Sequence, residues 1–413
     1  MTEASPTRTL KTQCCIAGGG PAGMMAGYIL ARAGIEVVVL EKHADFLRDF
    51  RGDTVHPSTL EALYELGLLD RFLQRPHNPI EVLSGRIGEE SFRFVDFRHL
   101  PTHARFVAIM PQWEFLDFLA EEAAKFPEFT LKTLTKATDL IEQSGRVTGV
   151  RATTPDGKLT IEADLVIAAD GRRSILRERA GLTVRDLGAP IDVLWMRLPR
   201  QVDDPPTPLG NLGAGYVFVM IDRRDYFQCA YVVPKGGYEA VRARGLDALR
   251  AHIAQIAPLM RDRVATLMDW DDIKLLSVSV DRLEQWWKPG LLCIGDAAHA
   301  MSPIGGVGIN LAIADAVAVA NILAGPLSRG RPADDDLAQV QARRLGPVRA
   351  MQAVQVFVQN RVLGPVLTSN QPLRAPWIAR VFDKVAWLRR LPAVVVGLGF
   401  RLEHVRTGDV HAR

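Results

Sequence analysis

Three observations predict an α/β fold. A strand, a glycine turn, a helix and a second strand follow one another between Thr12 and Glu41. Three short strand-like runs separated by "SG" and "PDG" turns lie between Ala137 and Ala163. Aromatic and β-branched runs fill the stretch from Val184 to Glu284. The first pattern is a βαβ unit, whose handedness puts the turn at the carboxyl edge of a parallel sheet. The second is a β-meander and the third a separate, mainly antiparallel α+β unit. The expected architecture is a Rossmann-like domain with a β-meander, interrupted by the antiparallel unit and followed by a helical C-terminal part.

Taken in order, "TQCCIA" (Thr12–Ala17) is a short apolar strand, and "PAGMMAGYILARAG" a helix with Pro21 near its start and Gly34 at its C-cap. "IEVVVLE" is the next strand, ending at Glu41. "PSTLEALYELG" reads as a capped helix, and Pro111 opens another, "PQWEFLDFLAEEAAKF". The meander strands are Ala137–Gln143, Arg146–Thr153 and Lys158–Ala163, followed by a buried strand of the parallel type at Leu165–Asp170. "IDVLWMRLPR", "GYVFVMI", "YFQCAYVV" and "LLSVSVD" form the antiparallel unit, with "DRRD" as the turn between the middle two. "GLLCIGD" returns to the first style, and a helix runs from about Gly308 to Leu323. The predicted division is 1–75, 100–183 and 285–370 for the first domain, 76–99 and 184–284 for the second, and 371–413 for a C-terminal helical segment.

The chain has 413 residues, 48% hydrophobic and 23% charged, enough for two or three domain-sized units with a large core. A net charge of +3 with no dominant Lys/Arg block argues against a nucleic-acid binder. The polar start "MTEASPTRTLKTQ" carries no apolar signal core, and no transmembrane segment is read from the sequence, so a cytoplasmic location is expected. Cys14, Cys15, Cys229 and Cys293 sit in strand-like runs without metal spacing and read as core packing; no metal site is expected.

"GGGPAG" meets G-x-G-x-x-G with Gly18, Gly20 and Gly23. Gly18 allows the tight turn, Gly20 lets a pyrophosphate approach the backbone, and Gly23 lets helix and strand pack closely. Pro21 and Ala22 begin the helix, whose N-terminus favours the anion. Glu41, followed by Lys42, stands where a carboxylate binds ribose hydroxyls. NAD and FAD both satisfy this turn. A second glycine-rich turn, "GDAAHAMSPIGGVGINLAIADA" (Gly295–Ala316), feeds a second helix. Asp296 can accept hydrogen bonds from a polyol, and the helix start favours the negative charge of a reduced flavin ring. One long cofactor with two backbone cradles, FAD, accounts for both turns; NAD leaves the second without a use. "DGRRSILR" adds Asp170, Gly171, Ser174 and Arg177 after the buried strand.

With these three motifs in order, the sequence from about residue 12 to 370 resembles the class A FAD-dependent aromatic hydroxylases, the para-hydroxybenzoate hydroxylase and ubiquinone-hydroxylase-like group. The resemblance implies that Gly18, Gly20 and Gly23 hold the pyrophosphate and Glu41 the adenosine ribose. It implies that Arg51 contacts FAD, that Gln112 lies near the ribityl chain and that the Ala137 backbone meets adenine. Asp296, next to Gly295, would bind the ribityl chain. Pro303 and Gly306, Val307, Gly308, Ile309 and Asn310 would line the flavin ring, with Pro303 beside the reacting oxygen. Asp170, Gly171 and Arg177 would serve FAD and the reduced nicotinamide.

The implied reaction is a monooxygenation. NADH or NADPH, bound transiently, reduces FAD; O2 adds to it as a C4a-hydroperoxide; and OH passes to an aromatic, phenol-like small molecule. No second G-x-G-x-x-G in a βαβ setting is present, since "GAGYVF" enters an antiparallel-type strand. Cys14–Cys15 lies inside a strand and offers no redox pair. Related flavoenzymes, a halogenase or a saturating reductase, and a flavin-binding sensor without turnover are the competing readings; "EQWWKP" does not match the halogenase W-x-W-x-I-P pattern.

Tyr216, Phe218 and Tyr231 are the candidates for lining the substrate pocket, with a core role the competing reading. His299 reads as fixing its turn, His56 as structural or solvated, and Trp286–Trp287 as a packed domain junction. "QARRLGPVRAMQAVQVFVQNR" reads as an amphipathic helix with a solvated face. The tail "RLPAVVVGLGFRLEHVR" reads as covering the core or joining a second copy in a homodimer, rather than touching a membrane.

Overall fold

A computed structural model describes residues 8–47, 54–205 and 209–412. Its first sheet is built around five parallel strands in the order Leu291–Cys293, Gly157–Ala168, Arg8–Ala17, Val37–Leu40 and Phe129–Lys132. Cys14, Cys15, Ile16 and the run Val37–Leu40 are buried, as expected of central parallel strands flanked by helices. Cys14, Cys15, Cys229 and Cys293 are free and fully buried, and burial pushes the Cys15 thiol up to about 12.

The meander and the following strand, read separately in the sequence, are joined. Gly157–Ala168 is one strand of 12 residues. Its first half pairs antiparallel with Arg146–Thr154 while its second half pairs parallel with Leu291–Cys293; the Arg8–Ala17 strand runs along its other edge. Asp164, between the two runs, stays extended and pairs with Arg331 at 3.0 Å.

The second sheet runs Lys274–Ser277, Ile191–Pro199, Tyr226–Pro234, Tyr216–Asp222, Gly210–Gly213, Val82–Ile87 and Glu90–Asp96. It is antiparallel except between Gly210–Gly213 and Val82–Ile87. One face packs on the helix Leu246–Ile256 through Leu194, Met196, Phe218, Phe227, Cys229 and Tyr231. The opposite face, with Val193, Trp195, Val217, Ala230 and Val232, packs with Ile304 of the second glycine turn. Strand alternation fixes this division. The two crossings between sheets, Val184–Asp186 and Asp281–Leu283, pair with each other, and Asp281–Leu283 pairs on its other edge with His299–Ala300, so the junction is itself a small sheet.

The helices Pro21–Arg32, Gly308–Ser328 and Asp334–Val358 pack side by side. By length and composition the stretch Ile304–Ser328 is apolar enough to cross a membrane, with a mean hydropathy of 1.9, which the sequence reading passed over. Its apolarity serves the interior instead: 67% of its most apolar window is buried, and its alanines allow close helix packing.

Candidate functional site

The three motifs meet at one place. A Cβ on Gly18 would lie 2.3 Å from the Ala169 carbonyl oxygen, and Gly18 has φ +114°, so the first turn closes directly against the start of the Asp170 loop. Gly295 has φ +57°, and a Cβ there would lie 3.0 Å from the Ala22 Cβ and 3.4 Å from the Ala312 Cβ. The second turn is therefore wedged between the first turn of one helix and the second turn of another. Arg172 joins the Asp170 loop to the second turn, with Nε donating to Asp296 at 3.0 Å and Nη2 to the Met301 carbonyl at 3.3 Å. Arg177 donates from Nη1 to the Ala297 carbonyl at 3.2 Å, and from Nη2 to the Arg172 carbonyl.

The space between these loops has the chemistry of an anion and polyol site. Neither the Pro21 helix nor the Gly308 helix has a side-chain cap or an acid in its first turn, so both starts present free N–H groups and positive potential. A Cβ on Gly20 would meet nothing within 4 Å, whereas one on Gly23 would lie 2.0 Å from the Gly18 carbonyl oxygen. Gly23 is filled by the fold; Gly20 borders open space. Glu41 closes one edge, accepting from the Gly19 N–H at 3.1 Å and the His43 N–H at 3.0 Å. Asp170 accepts the Ile175 N–H at 2.9 Å on one oxygen, while its other oxygen is buried with no hydrogen-bond partner. Burial pushes its carboxyl above the ordinary value, against the lowering by Ser174 and the surrounding N–H groups. The buried Nη1 of Arg172 likewise lacks a hydrogen-bond partner. These features fit a diphosphate ester with a polyol chain.

The chain belongs to the FAD-binding-domain family. The family model, described as "FAD binding domain", matches residues 11–355. 6-Methylpretetramide 4-monooxygenase of Streptomyces rimosus is 32% identical over 392 residues, covering 94% of this chain and 93% of that one. Dialkyldecalin synthase of Streptomyces rugosporus is 26% identical over 73% of this chain, which spans 63% of that longer relative. Among solved structures, p-nitrophenol 4-monooxygenase from Pseudomonas putida DLL-E4 superposes with a TM-score of 0.77 at 20% identity, covering 96% of this chain and all of that one; it speaks for the fold alone. The two monooxygenases among these are aromatic monooxygenases of the class A flavoprotein hydroxylase type, and FAD is the cofactor of the family.

Within this flavoprotein the other expected positions are distributed as follows. Lys42 is exposed beside Glu41, Gln112 is half-buried at the first position of its helix, and Ala137 is half-buried on the strand opposite Ala152. Gly171 follows Asp170 with φ +86°, and Pro303 is half-buried with its carbonyl accepting the Gly306 N–H at 3.0 Å. Gly306 has φ +63° and receives the Thr54 hydroxyl on its carbonyl at 2.8 Å. Val307 and Ile309 are buried, and Gly308 opens the helix. The Asn310 side chain is turned inward: its oxygen accepts the His56 N–H at 2.9 Å and the Thr59 hydroxyl at 2.8 Å, and its amide reaches the Thr54 and Gly306 carbonyls. Only its backbone is left for a ligand. Arg51 lies outside the described residues.

Tyr216, Phe218 and Tyr231 do not line the face that meets the second turn. Phe218 and Tyr231 belong to the helix-side cluster, Tyr216 packs against it, and the Tyr231 hydroxyl is 2.9 Å from His252 Nδ1. Their strand parity points them away. The residues of opposite parity, Trp195, Val217, Val219, Ala230 and Val232, share a cluster with Ile304.

His299 fixes its turn. Its Nε2 lies 2.6 Å from Asp315, which also accepts the Gly295 N–H at 3.0 Å and Arg344 at 2.8 Å. Against the burial that would raise it, His299 and Arg344 hold the Asp315 carboxyl below the usual range. Trp286 is fully buried at the junction, its ring 5.0 Å from that of His299. Arg344, within the stretch read as an amphipathic helix with a solvated face, is fully buried, because Asp315 and Glu403 neutralise it.

The sequence reading missed three glutamines on the same helix axis. Gln352 donates to the Asp281 and Ala300 carbonyls; Gln355 exchanges hydrogen bonds with the Ser302 backbone, at 2.9 and 3.1 Å, and donates to the Ile304 carbonyl; Gln359 donates to the Ser302 hydroxyl at 2.7 Å. They hold the Pro303 loop from behind. Their spacing, three then four residues, was the available signal.

Proposed function

We propose that this FAD enzyme is an NAD(P)H-dependent monooxygenase that hydroxylates a phenol-like aromatic small molecule, with a tightly placed flavin between the two glycine turns. The observation that carries the reading is the wedge of Gly295 between Ala22 and Ala312, which brings two uncapped helix starts to one turn. Gly18, Gly20 and Gly23 would hold the pyrophosphate, Glu41 the ribose, Asp296 the ribityl chain, and the Pro303–Asn310 backbone the ring. Gln112, Ala137, Gly171 and Arg177 border the same cofactor, and Asp170 offers its unpartnered oxygen to it. FAD, when bound and reduced by NADH or NADPH, supplies the activation of O2 and delivery of one oxygen atom to the ring carbon.

The protein's own residues position and exclude. The Gly308 helix start favours negative charge on the reduced ring. The Gln355–Ser302 pairing fixes the loop that carries Pro303. Segments 76–99 and 184–284 would hold the substrate, with Trp195, Val217, Val219, Ala230 and Val232 as the apolar wall that keeps water from the reacting oxygen. This wall suits a ring-bearing, largely apolar substrate. A cytoplasmic location agrees with four unpaired cysteines.

The test is NADH and NADPH oxidation by purified yellow protein, with O2 uptake, across a phenol panel that includes 6-methylpretetramide. Stimulated oxidation with matching O2 uptake and a product heavier by one oxygen is expected. A halide-dependent product, or turnover without O2, would move the assignment to another flavin chemistry; the dialkyldecalin synthase relative makes the second outcome worth measuring.

A further inference from the structure

The last two helices carry an outer face that the flavin chemistry does not use. Trp377–Lys384 and Arg390–Gly397 both pack on the strand Glu90–Asp96 and are joined by the turn Ala386–Arg389, which touches both helices and the strand. Their inner residues, Ala379, Ala393 and Gly397, are buried, so their outer residues share one side of the molecule. Trp377 is 73% exposed, Trp387 61% and Leu391 59%. Ile378 and Val394 are also exposed, and Trp387, Leu391 and Val394 stand at i, i+4 and i+7 in one stripe. Large aromatic and aliphatic groups held out in this way mark an interaction surface.

The charge around the stripe identifies what it meets. Arg374, Lys384, Arg390 and Arg401 are exposed, and no ion pair joins them to another of the described residues. Two carboxylates beside the helices are already engaged, Asp383 by Arg93 at 2.9 Å and Glu90 by Arg380 at 2.7 Å. The surface is apolar in its stripe and cationic at its edges. A second copy of this chain is a poor match, since a two-fold contact sets the same unpaired cations against one another. An anionic bilayer surface matches both parts: tryptophan settles at the boundary between headgroups and acyl chains, and the cations meet lipid phosphates. The two helices are too short to span, so they lie in the plane.

We propose that Trp377–Lys384 and Arg390–Gly397 dock this flavoprotein on the surface of an anionic lipid bilayer. The test is co-sedimentation of the FAD-loaded protein with vesicles of phosphatidylcholine alone or mixed with phosphatidylglycerol, alongside tryptophan emission. Binding to the mixed vesicles is expected, with blue-shifted emission, release in high salt, and about tenfold weaker binding to phosphatidylcholine alone. The Trp377→Ser/Trp387→Ser and Lys384→Glu/Arg390→Glu pairs should each weaken binding about tenfold or more while keeping full flavin absorbance. Wild-type protein left in the supernatant at every anionic fraction would overturn the proposal, as would undiminished binding of either double variant. A concentration-dependent dimer by light scattering that the tryptophan pair abolishes would assign the face to a second copy instead.

Discussion

Gly20 and Gly23 stand three residues apart and should respond differently to the same change. Gly20 has φ −77° and ψ −178°, open to any residue, and its Cβ direction is empty. Gly20→Val should therefore fold, with a melting temperature like that of flavin-free wild type, and fail to hold FAD. Gly23→Val must move the Gly18 backbone and should lose roughly 4 kcal/mol or more, seen as insoluble or unfolded protein. His56 makes a different residue-scale prediction. Burial lowers its pKa to about 4, outweighing the hydrogen bond to the Val396 carbonyl, which acts the other way. The unfolded chain takes up a proton near pH 6.5 while the folded one stays neutral until about 4, so stability is intact above 6.5 and falls with pH across that window. Urea unfolding of wild type and His56→Gln at pH 7 and 4.5 should show the wild-type advantage shrink by about 2 kcal/mol. An unchanged difference would mean that His56 is protonated without cost.

At the scale of elements, the helix Asp334–Val358 shows where the sequence was legible and where it was not. The βαβ unit could be read because each glycine had a separate local reason and the acid came at the right distance. This helix could not, because its buried side carries Arg344, Gln352 and Gln355 among apolar residues. A polar side chain enters a core when backbone groups elsewhere in the chain satisfy it, and those partners, at Asp281, Ala300, Ser302 and Ile304, are remote in sequence. Tyr216, Phe218 and Tyr231, read as pocket or core residues, show a related limit. Strand alternation separates two faces, but which face meets the second turn depends on packing between sheets. Gln355→Ala should leave the Ser302 N–H and two carbonyls unpaired, costing roughly 2–4 kcal/mol. With the Pro303 loop loosened, a larger share of NAD(P)H oxidation should end in hydrogen peroxide than in product. A wild-type peroxide ratio in that variant would separate the glutamines from loop positioning.

At the scale of the molecule, the chain closes on itself. Glu403 bonds Arg343 and Arg344, the Val405 N–H bonds Glu65, and Arg32 holds the Thr407 carbonyl, so the last residues strap helices from both ends of the sequence. Glu403→Gln weakens the partner of a buried guanidinium and should cost up to about 3–5 kcal/mol in denaturant unfolding. A near-neutral result would show that Asp315 alone satisfies Arg344. The change of strand texture at Val184 marks the passage toward the second sheet, whereas the strap left no mark in the sequence, since ion pairs between distant segments leave no periodic trace. The account rests on both glycine turns holding one molecule of FAD. The most direct measurement is the flavin content, by absorbance after mild purification, of wild type, Gly20→Val and Asp296→Ala, each shown to be folded by circular dichroism. Wild type should carry close to one FAD per chain, and both variants should purify folded and nearly colourless. Full flavin occupancy in either variant would contradict the account.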